Sequence, residues 1–128
     1  MPRKQGATYP GDGGYDRGIR PEFGRLASRY REDQGLSLED LYRGLSVELD
    51  RMGSNLKASS QSIKAALAGR ATVIWLQVPM VEAWARVFKI TNPVKKAELY
   101  AAAGHQPQDT TLEQYARAFE DEPFPVAV

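Results

Sequence analysis

The sequence predicts an all-α fold with six short helices and a disordered N-terminal arm. Apolar residues recur at helical spacing in separate segments. Capping residues and prolines begin these segments, and glycines end most of them. The chain of 128 residues is expected to form one helical domain over residues 21–104, preceded by an arm over residues 1–20 and followed by a C-terminal helix with an acidic tail over residues 105–128.

The N-terminal arm is rich in glycine and has no apolar periodicity, so the sequence predicts that residues 1–20 remain outside the core. Four of these residues are basic and two are acidic. Two interpretations are open. The arm is either a flexible tail or a basic segment that follows phosphates or enters a minor groove, with Arg3 and Lys4 as its candidate contacts.

The first two helices have well-marked ends. The first is expected from Pro21, which suits the first helical turn, to Gly35, a residue typical of the left-handed position after a helix. Ser37 is expected to cap the second helix, and Asp40 completes an acidic version of a capping box. The apolar pattern of this second helix continues to about Met52.

The third helix is expected to start at Ser59 or Ser60 and to stop at Gly69. Its apolar stripe is narrow, and its N-terminal half is polar. Residues 52–81 include no acidic side chain. The same stretch contains three basic residues, Lys57, Lys64 and Arg70.

The chain beyond the third helix contains a connector and two further helices of the domain. Residues 71–78 are β-prone and nearly all apolar, which fits a short strand, a wing or an extended connector. Pro79 opens the fourth helix. Asn92 caps the fifth helix, and Gly104 ends it.

A sixth helix is predicted after a capping box formed by Thr110 and Glu113. Its apolar face must be buried somewhere. The face either pads the core or forms a dimer contact, and both alternatives are open. Its large residues are the candidate dimer contacts, Leu112, Tyr115 and Phe119.

Residues 59–70 resemble the recognition helix of the Cro/repressor-type helix-turn-helix family, also called the xenobiotic-response-element or lambda-repressor-like family. In that family a serine or threonine cap is followed by polar residues, an aliphatic anchor and then a glycine. Ser59, Ile63 and Gly69 take these places here. The resemblance identifies the segment as a candidate recognition helix.

The likeness extends over residues 21–104. Residues 35–41 are similar to the start of the family's second helix, and residues 98–104 to the end of its fifth. Two connections depart from the family pattern. Either the second helix is longer than usual or residues 53–58 are an insertion, and the connector after Gly69 is also longer and unusually apolar.

The resemblance implies a five-helix lambda-repressor-like domain that binds double-stranded DNA. It implies a sequence-specific transcriptional regulator, a phage or bacterial repressor that occupies an operator with residues 60–69 in the major groove. A homodimer and a cytoplasmic, nucleoid-associated location in a bacterial cell or phage-infected host are implied likewise. The resemblance assigns base readout to Ser60, Gln61 and Ala65, and backbone contact to Ser59, Ser62 and Lys64.

The residue types favour the same chemistry on physical grounds. Short side chains allow a helix to enter the major groove, where base edges are read. Gln61 can form two hydrogen bonds with an adenine, and the hydroxyl of Ser60 can donate or accept one. The basic residues can neutralise phosphates, namely Lys57, Lys64 and Arg70.

A protein partner is the alternative hypothesis. The same fold would then serve as a protein-interaction module, either antitoxin-like or a phage factor that binds host transcription machinery. The long connection before the third helix and the apolar residues 71–78 motivate it. So does the acidic tail, because residues 105–128 carry one arginine and five carboxylates.

Other function classes are not favoured by the sequence. The chain has no cysteine, which excludes disulfides and thiolate sites. Its single histidine, His105, follows a helix end and is expected to be structural or incidental. The sequence contains no recognisable nucleophile–base arrangement and no run of about 18 apolar residues. We therefore expect no enzyme, cofactor, metal site or membrane span.

Overall fold

The computed structural model describes residues 18–120, and within that range the regular structure is helical apart from one isolated β-bridge. The helices are α1 (Pro21–Gln34), α2 (Leu38–Arg51), α3 (Ser60–Leu67), α4 (Val78–Val87), α5 (Pro93–Ala102) and α6 (Leu112–Ala116), and a 3₁₀ turn follows at Arg117–Phe119. The all-α prediction is confirmed. None of these helices is both long and apolar enough to cross a lipid bilayer.

The ends of α1 and α2 form as the sequence predicts. Gly35 follows α1 with φ of 65°, in the left-handed region. At the start of α2 the hydroxyl of Ser37 accepts a hydrogen bond from the Asp40 backbone at 3.0 Å, and the Asp40 carboxylate accepts one from the Ser37 N–H at 2.8 Å. This backbone N–H, more than any other group, holds the pKa of Asp40 below its ordinary value.

The cap of α6 lies one residue later than the sequence predicted, so the pairing of Thr110 with Glu113 was wrong. The Thr111 hydroxyl accepts from the Gln114 N–H at 3.1 Å, and the Gln114 side chain accepts from the Thr111 N–H at 2.8 Å. Thr110 instead donates its hydroxyl to the carbonyl of Pro107 at 2.6 Å. Both registers match the capping-box pattern, and the preceding turn decides between them.

Residues 71–77 form a connector, and the structure shows neither a regular strand nor a wing there. Thr72 makes a single antiparallel bridge with Ile19. The chain then turns, because the Trp75 N–H donates to the Thr72 carbonyl at 3.1 Å. The N–H of Arg20 donates to the Ala71 carbonyl at 2.9 Å. Residues 18–20 therefore pack against the domain, although the sequence assigned them to the disordered arm.

Trp84 on α4 is the centre of the core and is fully buried. The ring of Phe23 from α1 meets it edge-on at 5.5 Å, and the ring of Phe88 lies at 5.7 Å. α4 packs on both α2 and α5. Large aromatic side chains bury more surface than other residues, so this cluster supplies much of the apolar stabilisation.

A buried ionic cluster joins α4 to α5. The Glu82 side chain is almost fully enclosed, yet its carboxylate accepts from the Tyr100 hydroxyl at 2.7 Å. It also pairs with Arg86 at 3.1 Å and Lys96 at 3.0 Å. Because each oxygen of the carboxylate has hydrogen-bond donors, this buried charge is compensated.

The aromatic residues of the C-terminal turn complete the core and are not available as dimer contacts. Tyr115 and Phe119 are 7% and 6% exposed. The Phe119 ring lies 4.7 Å from that of Tyr100 and 5.2 Å from that of Tyr115, measured between centroids. Of the two alternatives for the sixth helix, core padding is therefore correct for these two side chains. Leu112 is only partly buried.

Candidate nucleic-acid interface

α3 is held tightly against α1 at its C-terminal end. A Cβ atom on Gly24 would lie 2.5 Å from the backbone nitrogen of Gly69 and 2.7 Å from the carbonyl oxygen of Ala66. Only glycine permits such an approach of two backbones. The Ser28 hydroxyl adds a hydrogen bond to the Leu67 carbonyl at 3.1 Å. The close approach of α3 to α1 therefore depends on direct backbone contact at Gly24 and Gly69.

The N-terminus of α3 is closed by a capping box of two serines. The Ser59 hydroxyl accepts from the Ser62 N–H at 3.1 Å, and the Ser62 hydroxyl accepts from the Ser59 N–H at 2.8 Å. The Ser62 hydroxyl also lies 3.0 Å from the Ser59 carbonyl, to which it can donate. Both side chains are therefore engaged with the helix end. The sequence assigned them to DNA backbone contact, and the structure gives each an internal role.

The outward face of α3 combines small and polar side chains. Its buried side consists of Ile63 and Ala66, both fully enclosed. The opposite side carries the exposed residues Ser60, Gln61 and Lys64, with half-buried Ala65 next to them. The structure thus brings together on one helix face all three residues predicted for base readout, and it adds the predicted cation.

The surroundings of this face are basic. Lys57 precedes α3 and Arg70 follows it, and both are exposed. Within residues 18–120, no ion pair links Lys57, Lys64 or Arg70 to a carboxylate. Their charge is therefore not cancelled by a direct partner in the described part of the chain, which favours an anionic partner at this surface.

The two long connections around α3 contact each other. The indole Nε1–H of Trp75, in the connector after α3, donates to the Lys57 carbonyl at 3.3 Å in the loop before α3. The Trp75 ring also meets the buried Trp84 ring at 6.4 Å, almost perpendicular to it. α2 has the length that the apolar pattern predicted, so residues 53–58 are a separate loop, and the connector supports it.

Sequence reasoning missed two residues of this surface. Ala68 is exposed at the end of α3, one turn beyond Lys64, and extends the outward face. The helical spacing of four could have found it. Trp75 is half-buried in the connector, and its hydrogen bond to the loop had no signal in the sequence. Such a contact depends on how two connections fold together.

The remaining predicted residues lie elsewhere. Arg3 and Lys4 fall outside the described residues. Leu112 lines a groove with Leu26 of α1 and Ala102 of α5, away from α3. His105 lies with its Nε2 atom 2.6 Å from the Leu76 carbonyl, so this histidine links the end of α5 to the connector. In residues 18–120, no group of three or more histidine or acidic side chains is placed to hold a metal ion.

A comparison of this chain with protein-family models, curated proteins and solved structures finds no match.

Proposed function

We propose that this protein is a sequence-specific regulator of transcription, a phage or bacterial repressor that binds double-stranded DNA. The observation that carries the proposal is the outward face of α3, where Ser60, Gln61 and Lys64 are exposed together on a rigidly held helix. A recognition helix needs short polar side chains at its surface and firm support behind it. Both requirements are met here.

The proposed binding mode inserts α3 into the major groove. Gln61 forms two hydrogen bonds with an adenine, Ser60 bonds a neighbouring base and Ala65 contacts a base edge or a thymine methyl group. Lys64 neutralises a phosphate, as do Lys57 and Arg70 on either side. The first amides of α3 point out of the helix end, where the helix dipole favours a phosphate. Ser59 and Ser62 hold these amides in place through the capping box.

The helix arrangement supports the proposal that the fold is that of a lambda-repressor-like domain. α2 and α3 pack on each other and form the proposed helix-turn-helix. α1 contacts both α3 and α5, and α4 lies behind α2. The remaining helices thus act as a scaffold for the pair. Because helix-turn-helix proteins commonly bind two half-sites, we propose that the protein acts as a homodimer on a paired operator.

The proposal is tested by fluorescence anisotropy with labelled duplexes at two salt concentrations. One duplex has a random sequence, and the others cover the DNA around the gene that encodes this chain. We expect tighter binding to one of the native duplexes and a steep loss of affinity at higher salt. A triple variant, Ser60→Ala with Gln61→Ala and Lys64→Ala, should lose the preference for the native sequence.

A control variant separates the site from general charge effects. Lys95 is an exposed cation on α5, a helix that does not contact α3. Lys95→Ala removes one positive charge and should leave the sequence preference unchanged. If the folded native protein binds neither random nor native DNA at low salt, the proposed function is wrong.

A protein partner is the second candidate, and one feature of the surface favours it. A groove of about 420 Å³ lies between α2 and the loop of residues 53–58. Two large apolar side chains at this groove, Tyr42 and Val47, are 44% and 48% exposed. Exposed apolar side chains beside a groove are typical of protein interaction sites. Binding of a protein partner that does not weaken at higher salt, and that is lost in the Tyr42→Ser variant, would support this candidate.

A further inference from the structure

The loop before α3, residues 53–58, depends on few hydrogen bonds. The Ser54 N–H donates to the Leu49 carbonyl of α2 at 3.0 Å, and the Ser54 hydroxyl accepts from the Leu56 N–H at 3.1 Å. These bonds hold the first half of the loop on α2. Leu56 and Ala58 in the second half pack on the core. Among residues 18–120, the hydrogen bond from the Trp75 indole to the Lys57 carbonyl is the one that links the backbone of this half to a distant segment.

Trp75 is itself held from two sides. Its ring is half-buried and lies against the fully buried Trp84. Its backbone N–H donates to the Thr72 carbonyl at 3.1 Å, which closes the turn of the connector. The indole N–H is therefore a donor with little freedom to move. A hydrogen bond from such a donor fixes the acceptor's backbone relative to the core.

Lys57 is placed where this fixation affects binding. Its backbone carbonyl is bonded to Trp75, whereas its side chain is exposed. It precedes the capping residue Ser59 by two positions, so its charge lies close to the N-terminus of α3. A lysine on an unsupported loop would lose conformational freedom when it contacts a phosphate, and a loop that is already fixed reduces that cost.

We infer that Trp75 is a positioning residue, which holds Lys57 beside α3 as a contact to the DNA backbone. This inference rests on the proposed function and deepens it. Trp75 acts through Lys57 and does not read bases. The loop of residues 53–58 and the connector of residues 71–77 thus form one unit that extends the interface beyond the recognition helix. The partner of this unit is a phosphate of duplex DNA.

A double-mutant cycle with Trp75→Phe and Lys57→Ala tests this inference through the affinity for DNA. Phenylalanine keeps an aromatic ring against Trp84 and removes the N–H donor. We expect Lys57→Ala to weaken binding to random and native duplexes alike and to reduce the slope of log affinity against log salt by about one. Trp75→Phe should also weaken binding to both kinds of duplex. In the Lys57→Ala background, Trp75→Phe should cause no further loss.

A second measurement tests the fixation of the loop without DNA. Trypsin cleaves after lysine, and the bond between Lys57 and Ala58 lies in the loop. We expect Trp75→Phe to be cut there several-fold faster than the native protein, at a temperature well below both thermal unfolding midpoints. The Lys57→Ala variant identifies the fragment by its absence. Lys95→Ala serves as the charge control in the binding series.

The outcomes separate this inference from the proposed function. Equal cleavage rates after Lys57, or losses in the cycle that add independently, would overturn the positioning role of Trp75 while DNA binding by α3 stands. If the native protein binds no DNA at all, the proposed function fails, and the role of Lys57 fails with it. Faster cleavage after Lys57 together with a non-additive cycle supports the positioning role of Trp75 and the proposed function.

Discussion

In the proposed interface, two exposed residues of α3 have different roles, one in base recognition and the other in phosphate contact. Gln61 and Lys64 are both exposed on the outward face, but their chemistry differs. A glutamine amide matches the donor and acceptor pattern of one base, whereas a lysine ammonium recognises any phosphate. Substitutions at the two positions should therefore affect binding in different ways.

We expect Gln61→Ala to lower discrimination at one base position by about 1–3 kcal/mol, because the paired hydrogen bonds to one base are lost. Lys64→Ala should weaken binding to every sequence and reduce the salt slope by about one. Affinities for a panel of single-base operator variants, measured at several salt concentrations, distinguish the two effects. An unchanged operator preference in Gln61→Ala would contradict base readout by this residue.

A second pair of residues tests how the backbone of α3 is supported. We expect Gly24→Ala to destabilise the fold by about 1–3 kcal/mol, because the added carbon would lie 2.5 Å from a backbone atom of Gly69. Gly44→Ala is the matched control. Its added carbon would meet the side chain of Val87 at 2.8 Å and no backbone atom within 3.6 Å, so a shift of one partly buried side chain is needed instead of a separation of two backbones. Both substitutions gain helix propensity.

Urea unfolding of the two variants gives the comparison. The destabilisation should be larger for Gly24→Ala than for Gly44→Ala. Equal effects at the two positions would mean that α1 and α3 can move apart at little cost, which would contradict the rigid support proposed for the recognition helix.

At the level of the element, α3 is a short helix that depends on its cap. It has eight residues, and isolated helices of this length are unstable in water. Its stability therefore comes from packing on α1 and α2 and from the capping box of Ser59 and Ser62. These two serines are structural, whereas Ser60 between them has an exposed side chain.

We expect Ser59→Ala to lower the free energy of unfolding by about 1 kcal/mol through loss of the cap. Ser60→Ala should leave the stability nearly unchanged and should weaken binding to the operator. Chemical denaturation and anisotropy on the same two variants provide the measurements. Equal stability losses would show that Ser59 has no special capping role, and equal binding of Ser60→Ala would remove that residue from the interface.

For the whole molecule, the buried tyrosines connect stability to alkaline pH. Burial raises the pKa of Tyr100 well above its ordinary value, and the hydrogen bond to Glu82 raises it further. Burial also raises the pKa of Tyr115 to about 12. Both phenols therefore stay protonated in the folded protein at pH values where they ionise in the unfolded chain.

We expect the free energy of unfolding to fall as the pH rises above the ordinary tyrosine pKa of about 10. The sign follows from the raised pKa values in the folded state. The contribution of each tyrosine is fully present below that pH and is lost as the pH rises towards the folded-state pKa, which for Tyr115 is about 12. Urea midpoints at pH 8, 9, 10 and 11 test this.

The variant Tyr115→Phe should reduce the slope of stability with pH in the alkaline range, because one raised pKa is removed. Its stability at pH 8 should change little, since the structure gives the Tyr115 hydroxyl no hydrogen-bond partner within residues 18–120. A slope equal to that of the native protein would show that burial of Tyr115 does not govern the alkaline transition.

Most helix ends could be predicted from local sequence, because caps and breakers act within a few residues. Ser37 with Asp40, and the pair Asn92 and Pro93, begin their helices as the local patterns indicate. The one wrong cap, Thr110, arose because two adjacent threonines satisfy the same pattern. The capping-box pattern alone cannot choose between two such registers, since the choice depends on the preceding turn, where the Pro107 carbonyl engages Thr110.

The candidate site could be predicted in part. The exposed polar face of α3 follows from the helical period, so Ser60, Gln61 and Lys64 were found together. The loop contact through Trp75 could not be predicted. It joins two segments that are separated by a whole helix, and no periodic pattern records which irregular segments meet.

The sequence by itself determined the helical class, the order of the helices, most of their ends and the polar face of α3, because these depend on period, propensity and caps within a few residues. Only the tertiary structure decided which faces meet. It placed Gly24 against Gly69, enclosed Tyr115 and Phe119 in the core and set Trp75 on the carbonyl of Lys57. These contacts depend on close packing between segments that are distant in the sequence, and such packing requires two surfaces of complementary shape.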